Sequence, residues 1–388
     1  MFEKLQQTNG SALLMTLLLM FMLTVVVIVS ADRASLDADL SYNQVHTETA
    51  FYAADAGITH AVAALNDSAD WRAGFVNVDI GNAQYSVAVV DSSAQAGLLD
   101  TVLLRSTAVA FHAVGSVEAR LVPEYEKPFQ YAAFGDDSVT MDNQTCTDSY
   151  NSDSGSYAST QLDDDGDIGS NGEIILENTS TVNGDASTSS TGEIYVDAVS
   201  TVTGDTTSTA PVQDLTIIPQ SEYDWAETIS SAPSGFSGGY LYDPATYELS
   251  LATNDVLTLS SGVYYFSSIT LDNNTSIQVA PGAEVIIYMT GNLTVGQTSS
   301  LNPGGSPSDL LIYSQGTELN IGQSTEIRAA FWGPTTAISI QQNTDVYGSF
   351  VGQSILMQNS TCVHYDRSLR EITSDKISEM IVVAWREI

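Results

Sequence analysis

The sequence predicts an α+β N-terminal part, a long α-helix plus a small antiparallel sheet, followed by a mainly-β right-handed parallel β-helix. Three observations predict it. An apolar run near the N-terminus continues into a Pro-free, Ala-rich stretch; alternating segments follow over 83–122; and beyond Pro128 one apolar spacing recurs with polar corners. With 388 residues, 43% of them hydrophobic, the chain has material for two or three domains.

The first element is a membrane segment. From Leu5 to Ala31 there is no charged residue, and Ser11–Ser30 (SALLMTLLLMFMLTVVVIVS) has about the 20 residues a helix needs to cross the hydrocarbon core. The alternative is a secretory signal ending near Val29–Ser30–Ala31. Against it, the apolar run exceeds a typical h-region and Glu3 cancels Lys4 before it. Residues 31–66 should extend the same helix, because they contain no Pro and are rich in Ala. Phe51, Ala54, Ile58, Val62 and Leu65 step by three or four and form one apolar stripe, with Asp55 and His60 off it. A helix from Ser11 to Leu65 would be about 80 Å long. Few single domains need that; a filament core does.

The leader ending in Gly10, the SALLMTLLLMFMLTVVVIVS run and the later AFYAADAGITHAV segment resemble the N-terminal region of PilX-like minor pilins of type IV pili. The resemblance covers roughly residues 8–66, and Phe51–Gly57 is its more specific part. It implies removal of residues 1–10 by a prepilin peptidase, N-methylation of Ser11, and assembly with other pilin subunits through the helix 11–66. Phe51, Tyr52, Asp55 and Gly57 mark the assembly segment. The implied localisation is the inner membrane before assembly, as a single pass with the bulk outside the cytoplasm, and a cell-surface filament afterwards. This chain departs from the pattern of major pilins at two places: Ser11 replaces the usual bulky first residue, and Met15 stands where they carry Glu. That Glu is thought to meet the preceding subunit's amine, so Met15 fits a minor, tip-proximal subunit.

Residues 67–127 read as a small head. Ala83–Val90 alternates and meets the turn formers Asp91–Ser92–Ser93, while Thr101–Ala110 and Ala113–Val122 bracket Phe111–His112 as a hairpin. Trp71 and Phe75 read as helix-to-sheet packing and His112 as a solvated turn residue. PEYEKP at 123–128 reads as a linker.

The large domain, 128–368, repeats one pattern: apolar, any, apolar, five residues, apolar. Its copies are Val139/Met141/Thr147, Ile174/Leu176/Val182, Ile194/Val196/Val202, Ile269/Leu271/Ile277, Leu293/Val295/Leu301, Leu319/Ile321/Ile327, Ile338/Ile340/Val346 and Ile355/Met357/Val363. Only Thr147 is polar. Alternation, a polar corner and another inward apolar residue suit a parallel β-helix, in which equivalent side chains stack in columns. The competing architecture is an antiparallel sandwich of short strands, which would show more hairpin signals. Segments resembling YYFSSITL, LNPGGSP, LLIY and FVGQSILMQNSTCVHYDRSL occur in β-helical domains fused to PilX-like N-termini. Residues 209–255 interrupt the repeat with four of the ten prolines and read as an insertion whose aromatics (Tyr223, Trp225, Phe236, Tyr240, Tyr242, Tyr247) cap a rung stack or form a contact surface. The tail, 369–388, ends in ISEMIVVAWREI, a strand or a helix.

Charge excludes some functions. There are 11 Lys+Arg against 47 Asp+Glu, a formal charge of −36, and Arg328 is the only base between Pro128 and Asp366. Such a surface repels phosphate backbones, so no nucleic-acid partner is expected. Enzymes of this architecture acting on acidic polysaccharides need a base to abstract a proton or stabilise charge, and no GxSxG, HExxH or phosphate loop is present. No enzyme and no catalytic residue is expected. The acidic run Asp163, Asp165 and Asp167 with Glu173 is the candidate for Ca²⁺, against a solvated loop. It departs from an EF-hand, because Ile168 takes the position of the invariant glycine.

Cys146 and Cys362 each stand five residues after a methionine of the repeat. Stacked in chain order, first and last rungs lie beyond the reach of a disulfide. Pairing requires the 209–255 excursion to carry the chain back, so that the last rung stacks beside the first. The sequence thus reads as a structural minor pilin displaying an acidic β-helix towards surfaces, cells or glycans. The alternative is a singly anchored envelope protein whose β-helix binds or cleaves polysaccharide.

Overall fold

A computed structural model of the chain describes residues 7–68, 71–91, 101–230, 232–238, 240–373 and 377–388. Most of the leader (1–6) and the turn residues Ser92–Ser93 lie outside the described residues. The chain forms two compact units, Met1–Glu126 with Ser374–Ile388, and Lys127–Thr373.

In the first unit one α-helix spans Gln7–Asp67, 61 residues, or about 90 Å at 1.5 Å per residue. Its two halves differ in surroundings. From Ala12 to Gln44 every residue is exposed, whereas Ala50, Ala53, Ala54, Ile58, Ala61 and Leu65 are buried against a sheet. That sheet is antiparallel and runs, in spatial order, Phe75–Ile80, Ala83–Asp91, Val102–Ala110, Ala113–Tyr125 and Ile377–Glu387. The Phe111–His112 turn is a two-residue hairpin with Phe111 at φ 55°, pairing Ala110 with Ala113. The tail is therefore not a separate segment. Eleven of its residues, Ile377–Glu387, form an edge strand of the head, and that strand's partner is Ala113–Tyr125.

Helix and sheet approach closely because two glycines permit it. A Cβ at Gly115 would lie 2.7 Å from the Phe51 backbone nitrogen, and one at Gly57 would collide with Ser106 Oγ and the Tyr85 ring.

In the second unit short strands stack in parallel register. One column runs Leu249, Ile269, Leu293, Leu319, Ile338, Ile355, Val139, Ile174, Ile194. The next runs Leu251, Leu271, Val295, Ile321, Ile340, Met357, Met141, Leu176, Val196, through the same pairings. A third runs Leu257, Ile277, Leu301, Ile327, Val346, Val363, Thr147, Val182, Val202. All eight repeat copies stand in these columns. Thr147 is tolerated inside because its hydroxyl donates to the Gly166 carbonyl at 2.6 Å.

The recurrent Asn/Ser/Thr corners have a backbone cause. Three residues before the third column the chain turns with positive φ at Asn254, Asn274, Thr298, Ser324, Asn343, Ser360, Gln144 and Thr179. Asn tolerates this left-handed conformation best among non-glycine residues. One residue later, Thr275, Ser299, Thr325, Thr344, Thr361, Thr145 and Ser180 are buried. Their hydroxyls bond carbonyls or one another, as in Thr145 to Ser180 at 2.9 Å.

The 209–255 boundary needs correction. Leu249, Leu251 and Leu257 are a ninth copy of the pattern, paired in parallel with Ile269, Leu271 and Ile277. The copy is hidden because the prolines and aromatics around it mask its spacing. The true excursion starts after Ala210 and contains the helix Gln220–Ile229. It lies along the stack over an outward column of Tyr265, Tyr288, Tyr313, Trp332, Val351 and Phe134. Leu215 and Ile218 pack there, and Trp332 Nε1 donates to the Thr216 carbonyl at 3.1 Å. Tyr223 is buried against Tyr265, whereas Phe236 and Tyr242 pack on the end of the core. This route takes the chain from one end of the stack to the other, so the rung 345–366 pairs with 133–150 in its middle.

Candidate assembly helix and rung junction

The residues singled out for assembly divide by surroundings. Gly10 and Ser11 lie inside the continuous helix. Met15 is 77% exposed within a run whose leucines, valines and other methionines are also exposed, and the segment from Ala12 is long and apolar enough to cross a membrane by length and composition. Tyr52 is exposed as well. Phe51, Asp55 and Gly57 instead have partners inside the chain. Phe51 meets Trp385 edge-on with centroids 5.8 Å apart, Asp55 accepts a 3.1 Å hydrogen bond from Trp385 Nε1, and Gly57 admits Tyr85 and Ser106. Phe51, Asp55 and Gly57 of AFYAADAG thus serve helix-to-sheet packing first. Trp385 was not legible as their partner, because it lies 330 positions away in sequence.

His60, off the apolar stripe, also has head partners. Its ring stacks on Phe75 at 4.0 Å, and its Nδ1 lies 2.6 Å from Tyr85 Oη. Glu118, buried in the sheet, takes hydrogen bonds from Arg105 at 2.8 Å and from Arg386. The Arg105 hydrogen bond, joined by Arg386, outweighs the opposing desolvation and holds its carboxyl below the usual range.

The second cluster lies where the last rung meets the first. Cys146 and Cys362 are paired in register and joined by a disulfide with Cα atoms 4.5 Å apart. Two residues beyond, on the same outward side, Arg328, Tyr347, His364 and Asp148 form a column across four neighbouring strands. The Arg328 guanidinium sits 3.8 Å from the Tyr347 ring centroid, and His364 Nδ1 lies 2.6 Å from Asp148 Oδ1. Asp345 stands 3.7 Å from His364 Nε2. Tyr157, on the short helix Tyr157–Thr160, donates to Asp148 at 2.6 Å, and Gln161 donates to the same oxygen at 3.0 Å. Burial opposes the His364 charge, but the hydrogen bonds to Asp148 and Asp345 outweigh it and raise the pKa above its ordinary value. This column holds the only histidine beyond His112 and the domain's isolated arginine. Only the register of the stack brings them together.

The calcium candidates have other partners. Asp163, Asp165, Asp167 and Glu173 are not one cluster, and among the described residues no group of three or more His, Cys, Asp or Glu has metal-binding geometry. Asp165 faces Arg367 at 3.5 Å and Arg370 at 3.1 Å, and Asp167 lies 3.8 Å from Arg370 while accepting the Asp185 N–H at 2.7 Å. Glu173 belongs to the strand paired with Ser138. The arginines that face Asp165 and Asp167 come from far downstream, 205 positions in the case of Asp165 and Arg370, beyond the reach of local sequence reading.

Comparison with known proteins places two segments. Residues 9–59 match the PilX N-terminal family, and residues 267–372 match a domain of unknown function, DUF7305. The chain therefore has a PilX-like pilin N-terminal region followed by a mainly-β domain with parallel strands. Among solved structures it is similar to the competence-associated pilin ComZ from Thermus thermophilus, at 11% identity and a TM-score of 0.34, over 88% of this chain and 98% of that one. It is also similar to an ice-binding protein from the Antarctic ascomycete Antarctomyces psychrotrophicus, at 13% identity and a TM-score of 0.37, over 63% and 98%. A third likeness is the DUF3494 domain of Shewanella frigidimarina ice-binding protein 1, at 15% identity and a TM-score of 0.34, over 63% and 98%. No curated protein matches the chain.

Proposed function

We propose that this chain is a minor pilin of a type IV pilus or related filament, which assembles through its N-terminal helix and displays an acidic, right-handed β-helix for adhesion to surfaces, cells or glycans. The observation that carries this reading is the contrast within one helix. Residues 12–44 are exposed and, through Val29, almost wholly apolar, while residues 50–65 are packed in the head. Exposed apolar surface of that extent needs a lipid or protein partner. A pilin uses both in turn: the membrane before assembly, other subunits after. Right-handed coiling follows the handedness favoured by parallel strand connections. Met15 supports a place outside the bulk of the shaft.

Processing tests the reading. Co-expression with a prepilin peptidase should shorten the chain by residues 1–10, and Gly10→Leu should block the change. An unaltered mass with active peptidase would contradict it.

A further inference from the structure

The head sheet is finished by residues that lie on the far side of the β unit in the sequence. Four of its strands precede Glu126, and the fifth, Ile377–Glu387, follows Thr373. That strand contributes more than an edge. Met380 is buried in the head core and its N–H donates to Asn66 Oδ1 at 2.7 Å. Trp385 covers Phe51 and bonds Asp55, and Arg386 bonds Glu118. Each contact except the last fixes the helix segment 51–66. Within the β unit the two ends of the chain are adjacent: Lys127 faces Glu371 at 3.5 Å, Gln130 donates to the Arg370 carbonyl, and the rung 345–366 pairs with 133–150.

From this we infer that the C-terminal strand Ile377–Glu387 is a completion latch, which positions the 51–66 face of the assembly helix only after the β unit has closed its last rung on its first. Before closure the strand has no reason to be near Ala113–Tyr125, since Tyr125 and its partner Ile377 are more than 250 positions apart and closing so long a loop is entropically unfavourable. After closure its two attachment points are neighbours, and the strand pairs at little further cost. A chain with an unfinished display domain thus carries an unfinished head. The filament consequence rests on the pilin reading; the coupling itself does not.

Hydrogen exchange of the full chain in detergent, combined with thiol titration, tests it. Val139→Asp places a charge in the first rung between Ile355 and Ile174, leaving every head residue unchanged. The latch predicts that amides of 51–66 exchange at least tenfold faster in this variant than in the wild type. Trp385→Ala should accelerate the same amides several-fold while Cys146 and Cys362 remain oxidised, which shows the β unit intact. Wild-type protection of 51–66 in Val139→Asp chains with free thiols would overturn the proposal. Absence of the wild-type chain from filaments would contradict the pilin reading while leaving the exchange result to judge the latch.

Discussion

The first half of the N-terminal helix and the core columns of the β unit are both regular arrays of aliphatic side chains, yet they end in opposite environments. Ile338, Met357 and Val139 are almost fully buried, each between equivalents from neighbouring rungs. Leu17, Leu18 and Leu19 are more than half exposed, with no counterpart among the described residues. Burial is worth about 25 cal/mol per Å² wherever it is found. The stack obtains it from within the chain by repetition; the helix must obtain it from lipid or from other subunits. The same residue types therefore report stability in one region and partnership in the other.

Substitutions can break this comparison on either side. Leu18→Asp with Met22→Asp should weaken membrane insertion by about 5–7 kcal/mol, taking about 2.5–3.5 kcal/mol per buried aspartate. Carbonate extraction should then release the chain while its thermal transition stays unchanged. Ile338→Ala should do the reverse, lowering stability by about 2–5 kcal/mol in denaturant titrations without altering membrane association. A helix variant that destabilised the β unit would collapse the distinction.

Removing the disulfide probes the middle of the stack, where the sequence separation of 216 residues meets a Cα distance of 4.5 Å. Cys146→Ser with Cys362→Ser should cost about 2–4 kcal/mol, chiefly by freeing the unfolded chain. The smallest effect concerns pH. His364 has a raised folded pKa, so its stabilisation is complete below the unfolded value of about 6.5 and is lost as pH rises through the folded value. Denaturation midpoints should decline across that window in the wild type and decline less in His364→Gln.

Local regularity decided what could be read from the sequence. Columns built from Ile269/Leu271/Ile277 and their relatives are legible because each rung repeats the same spacing, and the Asn/Ser/Thr corners because each bends the backbone alike. The helix is legible from composition. Leu249/Leu251/Leu257 escaped because Pro and aromatic residues surround it. Trp385 with Asp55, Arg370 with Asp165, and the Arg328–Tyr347–His364–Asp148 column escaped for another reason. Each joins residues that only the tertiary register makes neighbours, and no local pattern encodes that register.

The most direct test of the central claim is mass spectrometry of the N-terminal peptide of this chain in sheared surface filaments. The account predicts a peptide beginning at N-methylated Ser11, present in filaments and absent when Leu18→Asp and Met22→Asp are introduced. Filaments lacking the chain, with all of it retained in membranes and starting at Met1, would contradict it.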